Sequence, residues 1–373
     1  MWSAATRTWP ASWLRSARRS RGSRSTPSGA IQGTPTSSWF GKKIGIDLGT
    51  STVLIYVKGE GIVINEPSLV AVNRDGTRIL AVGRQALEMV GRAPDTIQVV
   101  RPMREGVIAD FVVTEGMLHH FIGKVLGRQR IFKPEIMICV PSGVTSVERR
   151  AVTEAAISAG ARQAWLIDEP LAAAIGAGLP ISEPRGNAIC DIGGGTTEIA
   201  VISLSGMVVA HSIRVGGNRI DDAIAVHLKR RHNLLIGERT AEEIKIVVGS
   251  AILIKEPLRM EVRGRDIVSG LPRSLEVSSN DVVEAIQEPL RLIVGAVRSV
   301  LEETPPELAA DIFDRGIVLS GGGSQLRGLD RYLSMHIGIP AVIADDPQTS
   351  VVRGTGLALE HFEVLKRNQS YLR

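Results

Sequence analysis

The amino-acid sequence predicts an α/β fold made of two duplicated halves that face each other across a cleft, and three stretches carry that prediction. Residues 188–203 read AICDIGGGTTEIAVIS: an apolar strand ends at Asp191, turns through Gly193, Gly194 and Gly195, and continues as an alternating strand. Residues 44–57, IGIDLGTSTVLIYV, repeat the plan with Asp47, Gly49, Thr50 and Ser51, the aspartates standing 144 positions apart. A third glycine loop, Gly321, Gly322, Gly323 and Ser324, follows the apolar run GIVLS.

Consecutive residues without Cβ let backbone N–H groups close on an anion, and a carboxylate at a strand end holds a hydrated cation. Any one of these stretches reads equally well as a glycine turn in a hairpin. Two such hairpins and a third glycine loop together describe a pocket for a metal-bound polyphosphate. The candidate phosphate ligands are the backbone of 193–195 and the hydroxyls of Thr50, Ser51, Thr52, Thr196 and Thr197. Asp47 and Asp191 are candidates to hold Mg2+ through water, with ATP as the nucleotide. The chain has no GxxxxGK[ST], so no P-loop lysine is expected. It has no HExxH, CxxC or GxSxG, and its seven histidines lack metal-ligand spacing.

The succession DLGT, VPSGVTSVERRA, IDEPLAAAIGAG, DIGGGTTE, GERTAEEIK, TPPELAADI and LSGGGSQLRGL resembles the bacterial actin family MreB, within the superfamily of actin, sugar kinases and heat-shock chaperone ATPases. The resemblance runs from about residue 43 to about 365. It implies an actin-like ATPase fold with ribonuclease H-like cores, residues 41–178 plus 345–373 forming domain I and 179–344 domain II. It implies slow ATP hydrolysis coupled to polymerisation, filaments at the inner face of the cell membrane, and control of cell shape through the position of cell-wall synthesis. The partners it implies are further copies of the chain, the membrane surface and membrane proteins of the elongation machinery. It assigns Glu148, in VERRA, to orient the attacking water, with Thr196 as second catalytic candidate. It places Glu242 and Lys245 at the ribose and adenine, and Gly321, Gly322, Gly323 and Ser324 at the nucleoside. It makes Ile131 and Phe132 a membrane-inserting pair. Two positions depart from the family pattern: Asp168 stands where Glu is usual, and Thr52 where Asn is usual.

With 44% hydrophobic and 22% charged residues the composition is that of an ordinary globular protein with a large core. No run of 18 apolar residues occurs, so no spanning helix is expected. Cys139 and Cys190 each sit in an apolar strand-like run and read as reduced core residues of a cytosolic protein. The net charge of +5 belongs to residues 1–40, which hold six arginines and no acid. The remainder is slightly negative, which argues against nucleic acid as a partner. The same forty residues carry four of the five tryptophans. They read as a disordered extension, with a membrane-surface helix interrupted by Pro10 and an Arg- and Ser-rich transit peptide as alternatives.

Periodicity predicts strands at 43–48, 52–58, 61–65 and 68–73, a helix at 83–91, and another at 113–127 with Val113, Met117, Phe121 and Val125 on one face. After the loop holding Ile131 and Phe132, a strand at 135–140 leads to a helix opened by a Thr145/Glu148 capping box. A strand at 165–168 precedes LAAAIGAG, whose small residues suit a close helix crossing. The Pro- and Gly-rich residues 180–186 read as a crossover between domains. In the second half, strands continue through 206–213 and a helix spans 219–232, with Asp221 and Asp222 complementing its dipole. Thr240 is expected to cap a helix on which Glu242 and Lys245 could equally form an exposed ion pair. A ribbon at 259–278 turns at Gly270, Leu271 and Pro272, and Asn280 is expected to cap a long helix at 282–301. A strand at 340–344 and a helix at 354–366 are expected to return to the first domain, as the family's connectivity implies. The competing functions are a sugar or small-metabolite kinase on the same fold, a plasmid-segregating actin, and a chaperone, for which no peptide-binding domain follows the ATPase.

Overall fold

A computed structural model describes residues 41–127 and 133–362; the tail at 1–40 and the pair Ile131 and Phe132 lie outside those residues. The frame begins at β1 (Lys43–Leu48), whose KIGIDL sequence is apolar on both faces because both faces are covered. Each fully buried isoleucine in it contributes roughly 1.5–3 kcal/mol. An antiparallel meander follows, β2 (Thr52–Val57) against β1 and β3 (Gly61–Pro67) against β2. Three short strands, β4 (Val70–Asn73), β5 (Ile79–Val82) and β6 (Ile97–Val100), form a small sheet around α1 (Arg84–Met89). Next, β7 (Met103–Arg104) and β8 (Val107–Ile108) make a tight hairpin. Glu105 and Gly106 at its tip both have positive φ, 49° and 78°, the geometry of a two-residue type I′ turn.

Helix α2 (Phe111–Leu126) is capped by Asp110, which accepts from the Val113 N–H at 3.0 Å. Then β9 (Glu135–Val140), α3 (Ser146–Ser158) and β10 (Gln163–Asp168) complete a five-stranded sheet of order β10-β9-β1-β2-β3, with the last two strands parallel.

After α4 (Glu169–Gly176) the plan recurs. β11 (Asn187–Ile192) is central, with β12 (Thr197–Ser203) and β13 (Gly206–Ile213) as its antiparallel meander. An insertion follows: α5 (Gly217–His232), β14 (Leu234–Leu235), α6 (Glu238–Val248), β15 (Arg259–Asp266) and β16 (Pro272–Ser278). Three helices, α7 (Ser279–Ala285), α8 (Gln287–Glu303) and α9 (Pro306–Arg315), lead to β17 (Ile317–Ser320), and α10 (Leu329–Ile337) leads to β18 (Ala341–Ile343). The second sheet runs β13-β12-β11-β17-β18, the same order and the same mix of antiparallel and parallel pairs as the first. The duplication read from two short motifs therefore extends to whole sheets.

A core of Met137, Cys139, Ile167, Ile189, Ala200 and Ile202 joins strands of both sheets to α4 and to the last helix, α11 (Ser350–Glu360). α11 packs on α4 and β1, and the crossing is backbone-close. A Cβ on Gly354 would lie 1.8 Å from the Ala172 oxygen, and one on Gly176 would lie 1.7 Å from the Ser350 oxygen. The small-residue run LAAAIGAG is there for that contact.

Several local expectations shift. β18 stays with the second sheet, so only the helix returns to the first. Ser278, not Asn280, caps the helix, in a capping box with Asp281, and the helix breaks at Ile286 into α7 and α8. Asn280 instead accepts from the Ile254 N–H. α6 starts from Gly237 rather than Thr240. In these cases two or three capping-competent residues adjoin, and long-range packing selects among them. Both cysteines are buried and free.

Candidate functional site

The two strand-end aspartates line one cavity of about 500 Å³. That volume lies within the range of roughly 300–1,000 Å³ usual for small-molecule sites. The walls bring together Asp47, Thr50, Ser51 and Thr52 from the first hairpin with Asp191, Gly193, Gly194, Gly195 and Thr196 from the second. Glu242 and Lys245 of α6 and the loop residues Gly321, Gly322 and Gly323 complete the expected set.

The two hairpin loops touch. A Cβ on Gly194 would fall 2.0 Å from Ser51 Oγ, and one on Gly195 would fall 2.6 Å from Thr50 Oγ1. Neither glycine has positive φ, so their smallness serves close approach rather than an unusual turn. Gly193 N–H donates to Thr196 O at 2.9 Å, while the N–H groups of Gly194 and Gly195 have no backbone acceptor among the described residues. They are available to an anion in the cavity. Ser51 Oγ donates to Asn218 Oδ1 at 3.0 Å, linking the first loop to the N-terminus of α5.

The acidic end is crowded. Burial pushes the Asp47 carboxyl up to about 6, against a weak opposing bond from Cys139 Sγ. Burial pushes Asp191 up to about 7, opposed by the Ser320 hydroxyl, which donates to Oδ1 at 2.6 Å, and reinforced by Asp47 and Glu198. Glu169 lines the same end and is held well above the carboxylate range by burial and then by Asp191, Glu198 and Asp47. A bound cation would relieve the negative charge crowded at this end. Asp47 and Asp191 each keep one oxygen without a protein donor among the described residues. Among those residues no three His, Cys, Asp or Glu side chains form a metal-ligand cluster. The donor set therefore fits a cation that keeps waters and takes phosphate oxygens, as Mg2+ does.

Other expected residues fall elsewhere. Glu148 does not line the cavity: its carboxylate accepts from the Thr145 N–H and hydroxyl, both at 2.7 Å, closing the capping box of α3. Thr197 is buried and donates to the Val215 oxygen, and Ser324 is buried and donates to the Gly321 oxygen. Lys245 forms no ion pair with Glu242. Its Nζ donates to Asp221 Oδ2 at 2.8 Å and to the Gly217 oxygen at 3.2 Å. Asp221 is thus a buried partner rather than a dipole complement, its carboxyl pushed up to about 6 by burial against the pull of Lys245. Asp168 pairs with Arg149 of the VERRA stretch. Glu169 and Asn218 were not singled out from sequence. A carboxylate just before a proline at a helix start was the available signal for Glu169.

The repeated sheets and the glycine-lined cleft between their hairpins define the actin-like class of α/β folds. Within that class the chain belongs to the MreB/Mbl family, whose description, MreB/Mbl protein, matches residues 41–367. The cell shape-determining protein MreB of Escherichia coli K12 is 53% identical over 330 residues, covering 87% of this chain and 95% of that protein. The cell shape-determining protein Mbl of Bacillus subtilis 168 is 49% identical over 330 residues, covering 88% and 99%. The crystal structure of MreB5 of Spiroplasma citri bound to ADP superposes with a TM-score of 0.83 at 38% identity, covering 88% of this chain and 99% of that one. The same protein has been solved with AMPPNP, at a TM-score of 0.82.

Proposed function

We propose that the chain binds ATP with Mg2+ in this cleft, hydrolyses it slowly, and assembles into filaments that lie on the inner face of the cell membrane and direct cell shape by positioning cell-wall synthesis. The observation that carries the reading is the convergence of three glycine loops and two strand-end aspartates on one cavity. The nucleotides carried by MreB5 and the cell-shape role of the MreB and Mbl relatives support it. In this reading residues 41–178 with 345–373 and residues 179–344 are the two domains that close on the nucleotide.

The backbone at 193–195 and the hydroxyls of Thr50, Ser51 and Thr196 hold the phosphates, with Thr52 at the start of β2 beside them. Asp47 and Asp191 would hold the cation through its waters, and the cation would supply charge neutralisation at the phosphates. Glu169 takes the water-orienting role that the resemblance assigns to Glu148, because Glu169 lines the cavity beside the two aspartates and Glu148 does not. Lys245, steadied by Asp221, and Glu242 serve the ribose and adenine, with Gly321, Gly322 and Gly323 opposite them. Ile131 and Phe132 remain the proposed membrane contact.

The deciding experiment is sedimentation of the purified chain with ATP, ADP or no nucleotide, with and without anionic liposomes. It is repeated after removal of residues 1–40 and after Ile131→Glu. Nucleotide-dependent pelleting, with liposome binding reduced by Ile131→Glu, is the expected result. No pellet in any condition would remove the filament reading. ATP turnover seen only on adding a sugar acceptor, with the phosphoryl group passed to the sugar, would favour a kinase on the same fold.

A further inference from the structure

Among the positions that the duplication makes equivalent in the two hairpins, one differs in charge inside the sheet. Across the first, Asp47 pairs with Leu54; across the second, Asp191 pairs with Glu198. Both side chains are buried, Leu54 at 1% exposure and Glu198 at 0%. A sheet interior that accepts leucine in one half thus holds a carboxylate in the other, which is costly unless its oxygens are bonded. They are: Ser142 donates its N–H at 3.1 Å and its hydroxyl at 2.7 Å to Oε2, and the Ser212 hydroxyl donates to Oε1 at 2.5 Å.

Ser212 lies in β13 of the same sheet, whereas Ser142 follows β9 of the other. The carboxylate therefore ties a loop of the first sheet to a strand of the second. Next to Ser142, Pro141 lines the cavity. Over it sits the turn between β7 and β8. A Cβ on Gly106 would lie 2.5 Å from Pro141 Cγ and 3.2 Å from Thr196 Cγ2, and the Gly106 N–H donates to Thr50 Oγ1 at 3.1 Å. The chain of contacts from Glu198 ends on both phosphate loops.

We propose that Glu198 is a positioning residue: by holding Ser142 it sets Pro141, Gly106 and Thr196 around the acidic end of the cavity and fixes the spacing of the two halves that transfer of a phosphoryl group to water requires. The proposal rests on the nucleotide reading of the cavity. Glu198 touches no part of that cavity itself and acts through the loop.

Glu198→Gln keeps the volume but leaves one acceptor oxygen for three donors. In the nucleotide-free protein, hydrogen exchange at the Ser142 amide is expected to rise about tenfold while the amides of α8 stay unchanged. With AMPPNP, the Kd is expected to stay within about threefold of wild type, while single-turnover phosphate release from ATP falls about 10- to 100-fold. Ser142→Ala, which leaves no charge buried without a partner, is expected to repeat the loss of release in milder form and decides the matter should Glu198→Gln fold poorly. Unchanged phosphate release in both variants would overturn the proposal. Equal losses of AMPPNP affinity and release would also overturn it, by assigning Glu198 a purely structural part. Failure of the wild-type chain to bind AMPPNP would instead remove the nucleotide reading and the proposal with it, whatever the exchange at Ser142.

Discussion

The first hairpin loop carries one glycine and three hydroxyls, Gly49 followed by Thr50, Ser51 and Thr52, where the second carries three glycines before its threonines. Alone, the triple glycine looks like the better anion cradle and the first loop like a degraded copy. The structure makes them halves of one device. The side chains of Thr50 and Ser51 occupy the space that Gly195 and Gly194 leave open, so one loop supplies hydroxyls and the other makes room for them. A duplicated fold has here divided one task between unlike copies.

The largest way to break this comparison is at the aspartates. Asp191→Asn is expected to abolish the Mg2+-dependent part of the thermal stabilisation by ADP and to lower hydrolysis by about 100-fold or more, checked by melting curves with and without EDTA and by phosphate release. Asp47→Asn should act likewise if the two copies share the cation. Survival of full Mg2+ dependence in either variant would show that they do not.

A second effect, smaller and specific to the interlocked loops, follows from Gly194→Ala. The added methyl meets Ser51 Oγ and, at 2.7 Å, Ser51 Cβ, so a loss of about 1–3 kcal/mol is expected from chemical denaturation. Ser51→Gly in the same chain should return most of it, because the obstruction lies in one side chain. A double variant no more stable than Gly194→Ala would mean that the loops do not interlock as described.

The pH dependence has the sign set by the raised carboxyls. Folding lifts Asp47 to about 6 and Asp191 to about 7, against about 3.9 in an unfolded chain. The nucleotide-free fold therefore binds more protons than the unfolded chain across that window, and its stability falls as pH rises from about 4 to about 7. Denaturation midpoints between pH 5 and pH 8 should decline, and less steeply in Asp191→Asn. Mg2+ with ADP should flatten the decline, since a bound cation favours the ionised forms. A midpoint that climbs from pH 6 to pH 8 without metal would contradict this.

The last comparison separates two glutamates. Glu148→Ala removes a capping partner and should cost about 0.5–2 kcal/mol of stability, leaving phosphate release within about twofold of wild type. Glu169→Ala should spare stability and reduce release by about 100-fold, as loss of a water-positioning group does.

Those last two residues mark where the sequence stops being legible. Both hairpins, the third glycine loop and most strands announce themselves through alternation and glycine, which act over a few residues. The capping function of Glu148 is visible in T-x-x-E, and the structure realises that local signal. Glu169, Glu198 and Asp221 owe their significance to partners far along the chain: Asp191 and Asp47, Ser142, and Lys245 respectively. No local periodicity encodes such meetings. The same limit explains the helix starts at Ser278 and Gly237, where neighbouring residues could each cap and tertiary contacts chose.

The crossing of α4 and α11 has a consequence for how the molecule comes into being. The helix that covers β1 leaves the ribosome about 300 residues after β1 does. The second sheet has all five of its strands once residue 343 is out, while β1 of the first waits for residues 350–360 to cover it. The half encoded later is thus the one equipped to mature earlier, and a nascent chain must keep β1 soluble until α11 is available to cover it.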